Sequence, residues 1–176
     1  MVLKKFRITH SMLVEHYQYI EAHLEAIYAA ASDEPFWNAL EEIEKDSLGT
    51  VVRELQLLDK QKGLGLFTSD EYTALRNLTS RRNYWCHFCY CDLAFNLKTG
   101  GPAHKADIDN MLADLKAAEA WRAKIFQKNL EVLEQTKPFT PEQTPVPEPT
   151  PEETTEETTE EVVDDPSKEP SGELTA

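Results

Sequence analysis

The stretch SRRNYWCHFCYCD, residues 80–92, concentrates the side chains best suited to chemistry. It holds Arg81, Arg82, Asn83 and His87, together with Cys86, Cys89 and Cys91, the chain's three cysteines. A guanidinium is a permanent cation that demands an anionic partner, and an imidazole titrates near neutrality and can move a proton. Asn83 and His87 stand four residues apart, so on a helix they are neighbours on one narrow polar strip, bordered by Tyr90. Arg82 falls in the middle of the stripe formed by Tyr72, Leu75, Leu78, Cys86, Cys89, Leu93 and Leu97, where an unpaired charge would cost several kcal/mol.

Each of these residues also has a purely structural reading. Arg82 could be half of an interior ion pair, and Glu119, which interrupts an apolar stripe further along with Arg122 beside it, is a candidate partner. His87 could be a satisfied histidine at a core or subunit contact. Cys86 and Cys89 share a helix face while His87 and Cys91 point away, and His10, His16, His23 and His104 are scattered. No metal site and no cofactor are therefore expected, and the cysteines read as reduced small hydrophobes. No phosphate-binding glycine loop is present, since KGLGLF fits neither nucleotide fingerprint.

The elements that must position these groups are helical throughout. Leu13, Tyr17, Ile20, Leu24, Ile27, Tyr28 and Ala31 recur at helical spacing and predict a first amphipathic helix over 11–31. Asp33 and Pro35 predict the start of a second, carrying Phe36, Trp37, Leu40 and Ile43 and continuing after a break near Gly49. Thr68 or Ser69 caps a third that runs to about Lys98 and stops at TGGP. A fourth spans 107–136, with Ile108, Met111, Leu112, Leu115, Phe126, Leu130 and Leu133 on one face. Trp37, Trp85 and Trp121 read as core or interface aromatics. The fold class is all-α, a bundle of four to five helices over residues 1–137. In the third helix Tyr84, Phe88, Cys91 and Phe95 form a second apolar face, which suits a second subunit.

Charge divides the 176-residue chain. Residues 138–176 carry 12 Asp or Glu against one Lys, with eight of the ten prolines, and are expected to form a disordered acidic tail. Residues 1–137 carry 17 Lys or Arg against 20 Asp or Glu, so a net charge of −14 still permits a local basic site on the helical part. No apolar run reaches the roughly 20 residues of a membrane span, and MVLKKFRITH is not a secretory leader, so a cytoplasmic protein is expected.

Arg82-Asn83-x-x-x-His87 resembles the HEPN superfamily motif, in which four to six residues separate an arginine from a histidine and a polar residue often follows the arginine. The preceding FWNALEEIEKDSLGTVVRELQLL is similar to small bacterial and phage HEPN-like proteins, where a TLG-type turn opens a helix and an RNYLAH-type helix follows. The likeness covers Phe36 to Phe95. It implies a compact helical bundle, frequently a homodimer and in active members a metal-independent endoribonuclease; relatives also include non-catalytic interaction modules. Carried over, Arg82 would stabilise the scissile phosphate, His87 would be general acid or base, and Asn83 would orient either or bond the RNA. Arg76, Arg81 and Tyr90 would help hold the substrate. Arg82 and His87 diverge by about 140° on an ideal helix, so a kink or a dimer pairing two motifs would have to bring them together. The implied partners are a second copy bound through the 82–87 helix, RNA rather than DNA, and an antitoxin or other protein.

Overall fold

A computed structural model describes residues 2–92 and 103–138, apart from the side chains of residues 2–3 and 103–107. Among the described residues there is no strand, and the fold is an all-α bundle. Its helices are α1 (Val2–Ala31), α2 (Phe36–Ile43), α3 (Leu48–Lys62), α4 (Ser69–His87) and α5 (Ala103–Thr136). The expected acidic tail beyond Pro138, and Leu93, Phe95, Leu97 and Lys98, lie outside the described residues.

α1 is the spine. Phe6, Leu13, Tyr17, Ile20, Leu24 and Ile27 are all buried, extending the expected stripe by a further turn and more toward the N-terminus. The other four helices all pack on it. Their directions follow from paired residues. His16 meets Arg122 and His23 meets Asn129, a constant offset, so α1 and α5 run parallel. Phe6 meets Tyr90, His10 meets Trp85 and Glu21 meets Arg82, so the α4 segment runs antiparallel to α1. Asp59 with Tyr72 and Gln56 with Arg76 make α3 and α4 antiparallel as well.

Several boundaries differ from the periodicity reading. α2 starts with Pro35, not Asp33, at its N-cap, and the break before α3 falls at residues 44–47. Gly49 lies inside α3, where an added Cβ would come within 3.4 Å of Thr79 Cγ2. Ser47 caps α3 by accepting from Thr50 N, and Gly63 ends it in the left-handed conformation at φ 63°. Thr68 and Glu71 close a reciprocal capping box at the start of α4, and Glu71 also meets Lys124 on α5. That lysine holds the Glu71 carboxyl down to about 2.

α4 does not run on to Lys98 as the pattern suggested; it stops at His87, and residues 89–92 resume as a new helical turn. Phe88, the C-cap, stays in the right-handed region at φ −118° and ψ −26° and still donates to Tyr84 O. The Trp85 carbonyl faces His10 Nε2 at 2.9 Å and accepts from the Cys89 thiol at 2.9 Å. Cys91 N and Asp92 N both turn to Phe88 O. Side chains thus satisfy a carbonyl at the break. Trp85 and Cys89 are buried here while Cys86 is only half-buried, because the indole reaches across to α5. On α5 the buried stripe is Met111, Asp114, Ala118, Ile125, Asn129 and Val132; Leu112, Phe126 and Leu130, expected in the core, are exposed.

The α3–α4 connection is organised by buried Asp59. Its carboxylate accepts from Leu66 N, Phe67 N and the Tyr72 hydroxyl, the last at 2.8 Å. Burial first, and that bond second, raise the Tyr72 pKa. Removing the acceptor would strand buried donors. Asp59→Ala is expected to lower unfolding stability by about 3 kcal/mol in urea titration, whereas Glu41→Ala, at an exposed helix pair, should stay within about 0.5 kcal/mol.

Candidate functional site

α4 carries the expected residues on three different sides. Arg82 points at α1, where its Nη2 donates to Glu21 Oε2 at 3.1 Å; the two side chains are 25% and 17% exposed. Glu119 is not its partner. That residue lines a separate groove between α1 and α5, because parallel packing sets α5 at the level of Arg122 beside His16 and Tyr19. Arg82 Nη1 also approaches Asn83 Oδ1 at 3.4 Å, so the guanidinium spans Glu21 and Asn83.

Asn83 and His87 are both exposed, and there is a geometric reason. The α4 face that carries them is the one packed on α3 lower down, through Thr79 and Arg76. Because α3 begins at Leu48, level with Thr79, this face continues past the start of α3 and meets solvent. His87 lies edge-on to Phe88, whose side chain is 58% exposed.

Arg81 leaves this strip and turns toward α5, where its Nε sits 3.2 Å from Asp114 Oδ1. The same carboxylate accepts from Trp85 Nε1 at 2.6 Å, and it stands close enough to buried Tyr17 to raise that phenol's pKa, after burial itself. Arg76 shares the Asn83 side of the helix but donates to Gln56 Oε1 and Thr73 Oγ1. Tyr90, beyond the break, packs edge-on against Phe6 and His10, with ring centres 5.6 and 5.0 Å away. Asn83 and His87 therefore share one exposed face near the end of α4, whereas Arg82, Arg81 and Arg76 are engaged by α1, α5 and α3.

Two sets of residues escaped the sequence reading. The Phe6–Tyr90 contact brings the first turns of α1, which carry exposed Lys4, Lys5 and Arg7, level with the turn at residues 89–92. Behind Arg82, Glu21 and Glu25 sit one turn apart on α1 and face Glu44 at the end of α2. Burial, then Glu21, then Glu44 push the Glu25 carboxyl up to about 7. The negative pair Glu21 and Glu25 was foreseeable from its spacing, but its apposition to α2 was not.

The α1–α5 groove is lined by His16, Tyr19, His23, Glu119, Arg122 and Phe126. Arg122 lies 3.9 Å over the Tyr19 ring. Burial, then the Arg122 charge, lowers the His23 pKa, which suits a neutral ring accepting from Asn129 Nδ2 at Nδ1. Among the described residues no three His, Cys, Asp or Glu side chains converge as metal ligands, and no helix is long and apolar enough to cross a membrane.

Glu25 gives the protein a measurable pH signature. Its folded pKa is raised, so the folded state binds more protons, and stability present below about 4.5 is lost as pH rises through about 7. The thermal stability of the native chain should fall between pH about 5 and about 8. Glu25→Gln should flatten that slope and raise Tm at the alkaline end, and an unchanged slope would refute the assignment.

Compared with known proteins, the chain matches no family model, and neither a curated protein nor a solved structure matches it.

Proposed function

We propose that the chain is a HEPN-like protein that cleaves RNA without a metal, acting as a homodimer in the cytoplasm. The observation that carries this reading is the strip beyond the start of α3. Asn83 and His87 are exposed there one turn apart, with the Arg82 guanidinium reaching Asn83 from behind. In the proposed reaction an imidazole takes the proton of a ribose 2′-hydroxyl as its oxygen attacks the adjacent phosphorus. Charge then develops on the phosphoryl oxygens, where a guanidinium stabilises it, and the 5′-oxygen leaves with a proton from an acid. The 2′-hydroxyl requirement selects RNA over DNA. Since Arg82 and His87 diverge by about 140°, the arginine of one copy would serve the histidine of the other. Exposed Phe88, next to His87, offers apolar surface for that contact. A toxin of this kind would be held in check by an antitoxin or other protein.

A second reading is favoured by the Arg82–Glu21 bridge. With its cation held by a half-buried carboxylate, α4 could be a fastened part of a non-catalytic interaction module.

One set of variants separates the two. On the nuclease reading, native protein in EDTA cuts single-stranded RNA, and His87→Ala and Arg82→Ala each lower the rate by at least about 100-fold. Equal cleavage, or none, in native protein and His87→Ala removes it. On the structural reading, Arg82→Ala and Glu21→Gln each destabilise the fold by about 1–3 kcal/mol and are strongly coupled in a double-mutant cycle, with no cleavage in any variant.

A further inference from the structure

We propose that the cleft between α4 and α5, with Tyr17 of α1 as its floor, binds a small carboxylic acid with a flat apolar body, the carboxylate accepting from the Tyr17 hydroxyl and the Arg81 guanidinium. The inference does not depend on the RNA reading. Both helices pack on α1, and where they face one another several side chains are short: Ala74 on α4, Ala117 and Ala118 on α5. Methyl groups do not fill the space between two helices, and a cavity of about 260 Å³ remains there. Leu78 and Trp121 give it apolar walls, and its polar groups are few. One of them is Tyr17. That residue is 2% exposed, yet among the described residues its hydroxyl has no hydrogen-bond partner. A buried O–H without an acceptor is costly, and one set in a cavity wall can take its acceptor from a ligand.

The charges around that hydroxyl select the ligand. Burial, then the Asp114 charge, raise the Tyr17 pKa, so the hydroxyl stays protonated and acts as a donor. Asp114 itself is already engaged, by Arg81 Nε on one oxygen and by Trp85 Nε1 on the other. The Arg81 charge acts on Tyr17 in the opposite sense, which puts the guanidinium within range of the same ligand group. Only its Nε faces Asp114. Its terminal amino groups form no hydrogen bond among the described residues, and the side chain is 61% exposed, at the mouth of the cavity. A donor on the floor and a cation at the mouth suit an acceptor with a single negative charge, and a carboxylate offers two oxygens to them. A phosphate dianion would meet the Asp114 charge with one guanidinium to offset it. An ammonium ion would be repelled by that guanidinium while the one carboxylate beside it is occupied. The apolar walls exclude a sugar or polyol, whose hydroxyls would go unpaired there.

Benzoate is the probe, added to the full chain and followed by NMR through the indole N–H signal of Trp121. It is expected to bind with a Kd of about 1 mM, a strength in keeping with so small a body. Benzamide, which has the same shape without the charge, should bind at least about tenfold more weakly. Tyr17→Phe should weaken benzoate about fivefold, the loss of one hydrogen bond. The same variant without ligand should show no fall in Tm, because the hydroxyl holds nothing within the fold. Ala117→Leu fills the cleft from its exposed rim and should abolish binding while leaving Tyr17 and Arg81 in place. Absence of binding by benzoate at about 20 mM overturns the site. So does equal affinity for benzamide, or benzoate affinity unchanged by Tyr17→Phe or by Ala117→Leu. A lower Tm for Tyr17→Phe with native affinity would assign the hydroxyl to the fold and overturn it as well.

Discussion

Burial of one face of α1 is the constraint on which the rest depends. Every other helix packs against that helix, and its interior side chains, from Phe6 to Ile27, are almost wholly removed from water. A stripe this long sets both rotation and register, because turning α1 by one residue would expose Leu13, Ile20 and Leu24 together. With α1 fixed, the groups on its flanks are fixed too. Glu21 must face α4, His10 must meet the Trp85 carbonyl, and His16 and His23 must look toward α5.

The interior polar residues follow one rule: each charge inside the bundle is answered by a group from another helix. Asp114 on α5 takes both the indole of Trp85 and the guanidinium of Arg81. Asp59 on α3 ties the following loop to Tyr72 on α4. Arg82 and Glu21 join α4 to α1. Glu25 departs from the rule, since its charged neighbours are carboxylates, and protonation is how it is accommodated. Glu25 stands one helical turn from the carboxylate that holds Arg82.

What could be read from sequence was whatever is periodic or local. The α1 stripe, the Thr68 cap, the glycine stop of α3 and the all-helical class all follow from spacing and capping chemistry. The end of α4 was not legible, because neither glycine nor proline marks residue 88; the freed Trp85 carbonyl is met by the Cys89 thiol and by His10, a residue far away in the chain. Arg82 pairs with α1 and not with the helix of Glu119 for a related reason. A charge that interrupts an apolar stripe, as Glu119 does, is visible in one dimension, whereas Glu21 sits at the margin of its stripe and becomes a partner only through antiparallel packing. The α5 face differs from the periodicity because Phe126 sits at the open rim of the α1–α5 groove beside His23 and Leu130 is exposed, while the smaller Ala118 and the polar Asn129 and Asp114 fill the contact.

The parallel course of α1 and α5 also sets the distance between the end of α5 and the end of α4. Lys137 adopts a left-handed φ of 45° and Pro138 follows, so the chain leaves α5 level with the last turn of α1. From there to the level of Trp85 the path along α1 is about 30 Å, at about 1.5 Å per residue. The Debye length at physiological ionic strength is about 8 Å, so a charge at the end of α5 lies several screening lengths from His87, and the two ends of the bundle can carry different charge without opposing each other.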